Sequence, residues 1–252
     1  MAPNTSGRRI YDIIYLYMLE VRNIAFSYDR RKVLRDVSFS VSPGEAVAIA
    51  GDNGAGKTTL LKILATLMAP ESGAILSDGQ DALSHPLRYR SQLGYMQESP
   101  ALYEDMTVKS YLKYRARLKG EPDKRIRRRV GEATEICRLA DVFDTMIHNL
   151  SFGQKKCVAL ADAMLLRPRV MLLDDVLAGL DVPMRESVGK IVSTVATFSS
   201  VIVTGHEIPD IVKWASRVLV LRNGSISSSV PAAGIARTEF AARVDKALKG
   251  GG

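Results

Sequence analysis

The sequence predicts an α/β fold, because short apolar runs of strand character alternate with segments of helical periodicity. The runs 46–50, 170–173 and 201–204 are almost wholly apolar, which is typical of buried strands in a parallel sheet. Residues 37–41 instead alternate polar and apolar side chains, as in an antiparallel strand with one buried face. We therefore expect an α/β core that carries an antiparallel β portion and a helical insert over residues 97–167.

The first strand is expected near Leu19–Asn23. Residues 1–17 hold an apolar stretch that Asp12 interrupts, and no small-residue cleavage site follows, so this segment is not predicted to be a signal peptide. We interpret residues 1–17 as an N-terminal extension, residues 18–230 as the folded domain and residues 231–252 as a C-terminal helical tail.

A glycine-rich loop follows the apolar run 46–50 and comprises Gly51, Asp52, Asn53, Gly54, Ala55, Gly56, Lys57, Thr58 and Thr59. It matches the pattern G-x-x-x-x-G-K-[ST], in which the glycines let the backbone approach phosphate closely. A helix is predicted next from the spacing of Leu60, Leu61, Ile63, Leu64 and Leu67, and its first-turn amides would point into the loop. Lys57 would contact the outer phosphates and the Thr58 hydroxyl would bind Mg²⁺. The sequence thus predicts a phosphate-loop NTPase core; a glycine-rich turn without a ligand is the alternative.

Several further motifs occur in a characteristic order along the chain. They are Tyr28, Gln97, the segment Leu150-Ser151-Phe152-Gly153-Gln154, Asp174-Asp175, the turn that contains Asp181, and His206. As a set, and over residues 18–224, they resemble the nucleotide-binding subunit of an ATP-binding cassette (ABC) transporter. The resemblance implies an ABC ATPase fold that binds ATP and Mg²⁺.

The resemblance also implies how single residues contact the nucleotide and the metal. Tyr28 is similar to the aromatic residue that stacks on adenine, since a flat π-face needs no base-specific hydrogen bond; a plain tyrosine on an edge strand is the alternative. Gln97 is similar to the glutamine that reaches Mg²⁺ and the attacking water, because an amide can donate and accept. Asp174 ends a buried strand, where α/β sheets bind ligands, and would bind Mg²⁺ through water.

The segment that contains Ser151 makes sense when two cassettes meet. In the family, this serine and the amides at the start of its helix contact the γ-phosphate that the opposite subunit holds. The residues expected to act there are Ser151, Phe152, Gly153, Gln154 and Asp181. Phe152 stands where the family usually has glycine, and we interpret it as a tolerated variation. Taken alone, the segment could equally be an ordinary serine-capped helix.

Asp175 and His206 are the expected catalytic residues, together with Gln97. The family usually has a glutamate followed by proline where this chain has Asp175 and Val176. Loss of one methylene withdraws the carboxylate by about 1.5 Å, and a misplacement of about 1 Å can slow a reaction on the order of 10²-fold. We therefore expect slow hydrolysis with intact ATP binding. His206 is similar to the histidine that contacts the γ-phosphate; a loop histidine in solvent is the alternative.

Composition adds limits on partners. The 252 residues, of which 46% are hydrophobic, can bury the core of one α/β domain. No run reaches the roughly 18 apolar residues that a spanning helix needs, so a separate multi-span permease is the expected partner.

The formal net charge is +8, and the bases within 124–129 form either a solvated helix face or a contact with anionic head groups. Stacking aromatics are missing there, so no nucleic acid partner is expected. Cys137 and Cys157 lack zinc-ligand spacing and suit a reducing cytoplasm.

The resemblance implies an ATP-hydrolysing subunit that works in a homodimer or heterodimer of cassettes and drives the permease from the inner face of the cell membrane. Residues 101–108 most resemble bacterial and archaeal single-cassette exporters of drugs, polysaccharides or haem-related cargo, so export is the expected direction. Three alternatives remain open. They are a slowly hydrolysing nucleotide switch paired with a more active cassette, a cytosolic ABC protein without a transport role, and an importer subunit.

Overall fold

The computed structural model describes residues 19–250, so the predicted extension at residues 1–17 lies outside the described residues. In this part of the chain the strands are β1 (Leu19–Tyr28), β2 (Arg31–Val41), β3 (Ala46–Ala50), β4 (Ser72–Ser77), β5 (Gln80–Asp81), β6 (Leu93–Met96), β7 (Val170–Leu173), β8 (Ser200–Thr204), β9 (Arg217–Arg222) and β10 (Ser225–Pro231). The helices are α1 (Lys57–Leu64), α2 (Pro86–Arg90), α3 (Val108–Leu118), α4 (Asp123–Ile136), α5 (Phe152–Met164), α6 (Val182–Ala196), α7 (Ile208–Ile211) and α8 (Arg237–Lys249). Two 3-10 turns, Ala140–Val142 and Ile147–Asn149, connect α4 to α5.

The strands form two sheets, as the sequence predicts. The larger sheet has the order β10-β9-β3-β8-β7-β6, and its strands are parallel except for β10, which pairs antiparallel with β9. The smaller sheet has the order β2-β1-β4-β5 and is antiparallel. The α/β core with an antiparallel β portion is therefore confirmed.

The central strand β3 is buried along its whole length because both of its faces are covered. Ala46, Ala48 and Ala50 pack into the hydrophobic core shared with α3 to α6. Val47 and Ile49 point to the opposite face and pack with α1 and the smaller sheet. Successive side chains of a strand alternate between faces, so an apolar run without polar interruption is what a strand between two layers requires.

The helix after the glycine-rich loop is shorter than the sequence predicts. The structure ends α1 at Leu64, and Thr66 has a left-handed backbone with φ 54°. Leu67 therefore lies beyond the helix with 54% of its surface exposed, and its assignment to the apolar helix face is wrong. A left-handed residue just past the last helical residue is a common way to end a helix, and spacing alone does not reveal it.

The C-terminal helix α8 is part of the folded core. Phe240 and Val244 on one face of the helix are fully buried, and Leu248 packs against the same cluster. The sequence predicts a helix in this tail, and the structure has one with an apolar face. A hairpin joins β9 to β10, where Asn223 and Gly224 have φ 49° and 81°, as a tight two-residue turn requires.

Candidate functional site

A cleft of about 420 Å³ opens where β3, β7 and β8 end. These strands are parallel neighbours, so their carboxyl ends meet at one edge of the sheet, which is where α/β folds bind ligands. The residues that line the cleft are Tyr28, Arg31, Val33, Asn53, Gly54, Gly56, Lys57, Thr58, Thr59, Glu98, Asp174, Asp175, Thr204 and His206. Most of the residues predicted to contact the nucleotide thus meet in one place.

The glycine-rich loop adopts a backbone that side chains would disturb. Gly56 has φ 104°, and a Cβ atom there would lie 2.9 Å from the Leu34 side chain. At Gly51 a Cβ atom would collide with the carbonyl oxygen of Leu221. The loop therefore needs glycine at these two positions for both conformation and space.

Helix α1 begins in the cleft with its first amides available to an anion. Gly56 is the N-cap, no side chain caps the helix, and its first turn carries no acidic residue. The first backbone hydrogen bond of the helix runs from the Leu60 amide to the Gly56 carbonyl oxygen (2.8 Å). The amides before Leu60 have no partner within the helix, and the helix dipole favours negative charge there.

The ammonium group of Lys57 is held inside the loop. Its Nζ donates to the carbonyl oxygens of Gly51 (2.8 Å) and Asp52 (3.0 Å), and the residue is only 8% exposed. Burial lowers the pKa of Lys57, and the charges of Asp175, Asp52 and Asp174 oppose that change. A buried cation whose partners are carbonyl oxygens alone is suited to an incoming phosphate group.

Asp174 is the most deeply buried acid of the cleft, with 2% of its surface exposed. Its Oδ1 atom accepts hydrogen bonds from Thr58 Oγ1 (3.1 Å) and Thr204 Oγ1 (2.7 Å). A hydroxyl and a carboxylate oxygen side by side are the donor types that Mg²⁺ prefers, so the residues fit that metal. Within residues 19–250 there is no group of three or more His, Cys, Asp or Glu residues that could hold a metal ion.

Asp175 has a constrained backbone and a buried, unpaired carboxylate oxygen. Its φ is 46°, its amide donates to Thr204 Oγ1 (3.0 Å), and its carbonyl oxygen accepts from Lys156 Nζ (2.9 Å). The Oδ1 atom has no hydrogen-bond partner. Burial raises the pKa of Asp175, and the negative charge of Glu207 adds to the increase, whereas His206 lowers it.

Tyr28 lies at the rim of the cleft. Its hydroxyl is 3.5 Å from Thr59 Oγ1, and its ring makes an edge-to-face contact with the ring of Phe26, with 4.9 Å between the ring centroids. With 46% of its surface exposed, the ring offers a flat face beside the phosphate loop, which is the position that stacking on a base requires.

The segment around Ser151 lies outside the cleft of its own chain. Ser151 caps α5 in a reciprocal capping box with Gln154, so the ordinary serine-capped helix of the alternative interpretation is present. Phe152 is 57% exposed and its ring packs on Gly179, where a Cβ atom would lie 2.9 Å from Phe152 Cε1. Asp181 caps α6 through the Met184 amide (2.9 Å). The starts of α5 and α6 thus form one exposed surface.

The structure adds cleft residues that the sequence analysis missed, and the cleft lining does not include the predicted residues Gly51, Asp52, Ala55 and Gln97. Gln97 is exposed and does not line the cleft, whereas Glu98 does; the role of Gln97 stays a prediction. Thr204 could have been found, because it ends an apolar run as Asp174 does. Arg31 and Glu98 carry no local signal in the sequence.

Among residues 19–250, no helix combines the length and the apolar character needed to cross a bilayer.

The phosphate loop, the helix start behind it and the buried Asp174 together define a nucleoside-triphosphate-binding protein. The family model described as "ABC transporter" matches residues 34–178, more than half of the chain. The chain belongs to this family, as an ATP-binding cassette.

Relatives and solved structures agree with that assignment. The chain is 32% identical over 210 residues to the uncharacterized ABC transporter ATP-binding protein YxlF of Bacillus subtilis, covering 83% of this chain and 70% of YxlF. It is 33% identical to the sulfate/thiosulfate import ATP-binding protein CysA of Pseudomonas syringae pv. tomato, covering 82% of this chain and 65% of CysA. A solved structure titled as the ATP binding subunit of an ABC transporter superposes with a TM-score of 0.78 at 28% identity, covering 91% of this chain and all of that one.

The raised pKa of Asp175 predicts a pH-dependent stability. Because the folded state holds this proton more tightly than the unfolded state, the free energy of unfolding falls as the pH rises from the ordinary aspartate pKa through the raised value. Asp175→Asn removes this loss, so without nucleotide or divalent cations the variant should melt above the unmodified protein at pH 7, by about 2–4 °C per kcal/mol gained. The difference should shrink toward pH 4.

Thermal melts over this pH range check the prediction, and the exposed Asp105→Asn is the matched control that should not change the midpoint. A variant that melts at or below the unmodified protein at pH 7 would contradict it.

Proposed function

We propose that this chain binds ATP with Mg²⁺ and hydrolyses the nucleotide in a dimer of ABC subunits, and that the dimer drives a separate membrane permease. The observation that carries the proposal is the single cleft in which Tyr28, the phosphate loop, Asp174, Asp175 and His206 meet. The aromatic face matches adenine. The uncapped helix start and the buried ammonium match phosphates, and the buried carboxylate matches a divalent cation.

The proposed ATP site divides the work among the cleft residues. Lys57 would exchange its two loop carbonyls for phosphate oxygens, and the Thr58 hydroxyl and Asp174 would hold Mg²⁺. The metal would neutralise charge on the phosphates when bound. Asp175 would orient the attacking water, and His206 would contact the γ-phosphate. The unpaired Oδ1 atom of Asp175 would then lie beside the γ-phosphate, where hydrolysis takes place.

The proposed dimer follows from where the two capped helix starts lie. Ser151 and Asp181 begin α5 and α6 on an exposed surface that is not part of the chain's own cleft. A helix start attracts phosphate, so a second cassette can present this surface to the nucleotide held by the first. Identical and mixed pairs both fit this arrangement, and the exposed ring of Phe152 would lie within the interface.

The proposed permease partner and the location at the inner face of the membrane rest on family membership, and the chain spans only 65% of CysA. We propose no role in nucleic acid binding. Residues 101–108 predict export, but CysA gives that direction no support, because this relative is named as an import protein. The proposal therefore assigns no direction of transport.

ATP should join two copies of the chain. We expect ATP to raise the dimer fraction in sedimentation experiments under conditions that slow hydrolysis, such as chelation of Mg²⁺. Ser151→Arg should weaken that association at least about 10-fold, because the larger side chain adds bulk at the helix start. The control Ser91→Arg, at an exposed serine on the loop before β6, should associate like the unmodified chain. An ATP-independent monomer, or equal association of the two variants, would contradict a dimer of identical chains.

The rate of ATP hydrolysis should depend on the length of the side chain at Asp175. Asp175→Glu restores the missing methylene, so we expect faster ATP hydrolysis, by up to about 10²-fold, with little change in ATP affinity because the phosphate loop is untouched. Asp105→Glu is the matched surface control. Equal rates for the unmodified chain and Asp175→Glu would remove the slowly hydrolysing switch as an interpretation.

A further inference from the structure

Resting on the proposed function, we propose that Lys156 is a positioning residue for ATP hydrolysis. It reaches from the helix that starts at Ser151 and fixes the backbone of Asp175. The residue thereby joins the surface that meets the partner's nucleotide to the acid that acts on the chain's own nucleotide.

Lys156 contacts the backbone of Asp175 and Val176, which we call the acid segment. Its Nζ donates to the carbonyl oxygen of Asp175 (2.9 Å) and lies 3.4 Å from that of Val176. On its other side the Asp175 amide donates to Thr204 (3.0 Å). The peptide groups before and after the Asp175 α-carbon are therefore held, one by a lysine of the insert and one by a threonine of β8.

Lys156 carries its charge in a buried position, which costs free energy. The residue is 2% exposed, and in the described part of the chain its ammonium donates to backbone carbonyl oxygens rather than to a carboxylate. A neutral side chain of similar length would avoid the cost of burying an ammonium group. The ammonium instead supplies hydrogen bonds to two carbonyl oxygens, and charged donors form the stronger hydrogen bonds.

The acid segment needs such a restraint. Asp175 has a left-handed backbone with φ 46°, a conformation that costs free energy in residues other than glycine. Its Oδ1 atom and Glu207 Oε2 are buried without hydrogen-bond partners, and both lie near Gly205, at 3.6 and 3.8 Å from the position of a Cβ atom there. The charges of the two acids repel each other, and the hydrogen bonds with Lys156 and Thr204 hold the Asp175 backbone against that repulsion.

Lys156 also contacts the surface assigned to the dimer. Its Nζ lies 5.5 Å from the centroid of the Phe152 ring, within the range of a cation–π interaction. That ring packs on Gly179, and Gly153 packs on Met184. A shift of the start of α5 on engaging the partner's nucleotide would thus displace the ammonium group and, with it, the Asp175 carbonyl.

The test measures turnover and ATP affinity separately in the 252-residue chain. Lys156→Met removes the ammonium while keeping an unbranched chain, and we expect kcat to fall by about 10- to 10²-fold with the Kd for ATP and Mg²⁺ unchanged within about threefold. Lys156→Arg retains charged donors and should recover most of the turnover. Lys155→Met is the matched control on the neighbouring residue, whose ammonium pairs with Glu104 (2.7 Å) at the surface, and it should behave like the unmodified chain.

Melting curves establish that each variant is folded at the assay temperature. If Lys156→Met does not fold, Lys156→Gln, which keeps a shorter donor, carries the same expectation of lowered kcat with unchanged Kd. Wild-type kcat in the neutral variant, or parallel losses of kcat and affinity that Lys156→Arg does not repair, would overturn the positioning role. Failure of the unmodified chain to bind ATP would instead overturn the proposed function.

Discussion

The site depends on the burial of one carboxylate at the meeting point of three parallel strands. Asp174 can remain almost fully buried because the hydroxyls of Thr58 and Thr204 donate to it, and a buried acid without such partners would be costly. Thr58 lies in α1, which follows β3, and Thr204 ends β8. The hydrogen bonds therefore form only when β3, β7 and β8 lie side by side with their ends aligned. The smaller sheet and the helices cover the two faces of these strands, and that coverage allows the alignment.

Local sequence patterns predicted the parts of the fold that depend on neighbouring residues. The strands at 46–50 and 170–173 have the predicted bounds, because an apolar run of four or five residues between polar loops has few other solutions. The phosphate loop was also predictable from local sequence, because its backbone leaves no room for a side chain at Gly51 and Gly56. Leu67 shows the limit: periodicity indicated a longer helix, but the left-handed Thr66 ends it.

The contacts that the sequence did not predict join residues far apart in the chain. Lys156 follows Ser151 on a helix of the insert, and nothing local indicates that its ammonium reaches the carbonyl oxygen of Asp175. Glu98 follows a strand as Gln97 does, yet only Glu98 lines the cleft. Such choices depend on which way a loop turns after a strand, and tertiary packing decides that rather than propensity.

The measurement that tests this account most directly is a calorimetric titration of the chain with ATP in the presence of Mg²⁺. We predict saturable binding of one nucleotide per chain, weakened at least about 10-fold in Lys57→Ala, since a charged hydrogen bond to phosphate is worth about 1.5–3 kcal/mol. Lys62→Ala, on the same helix but outside the cleft, should bind as the unmodified chain does. Absence of binding, or equal affinity of Lys57→Ala, would contradict the assignment of the cleft as a nucleotide site.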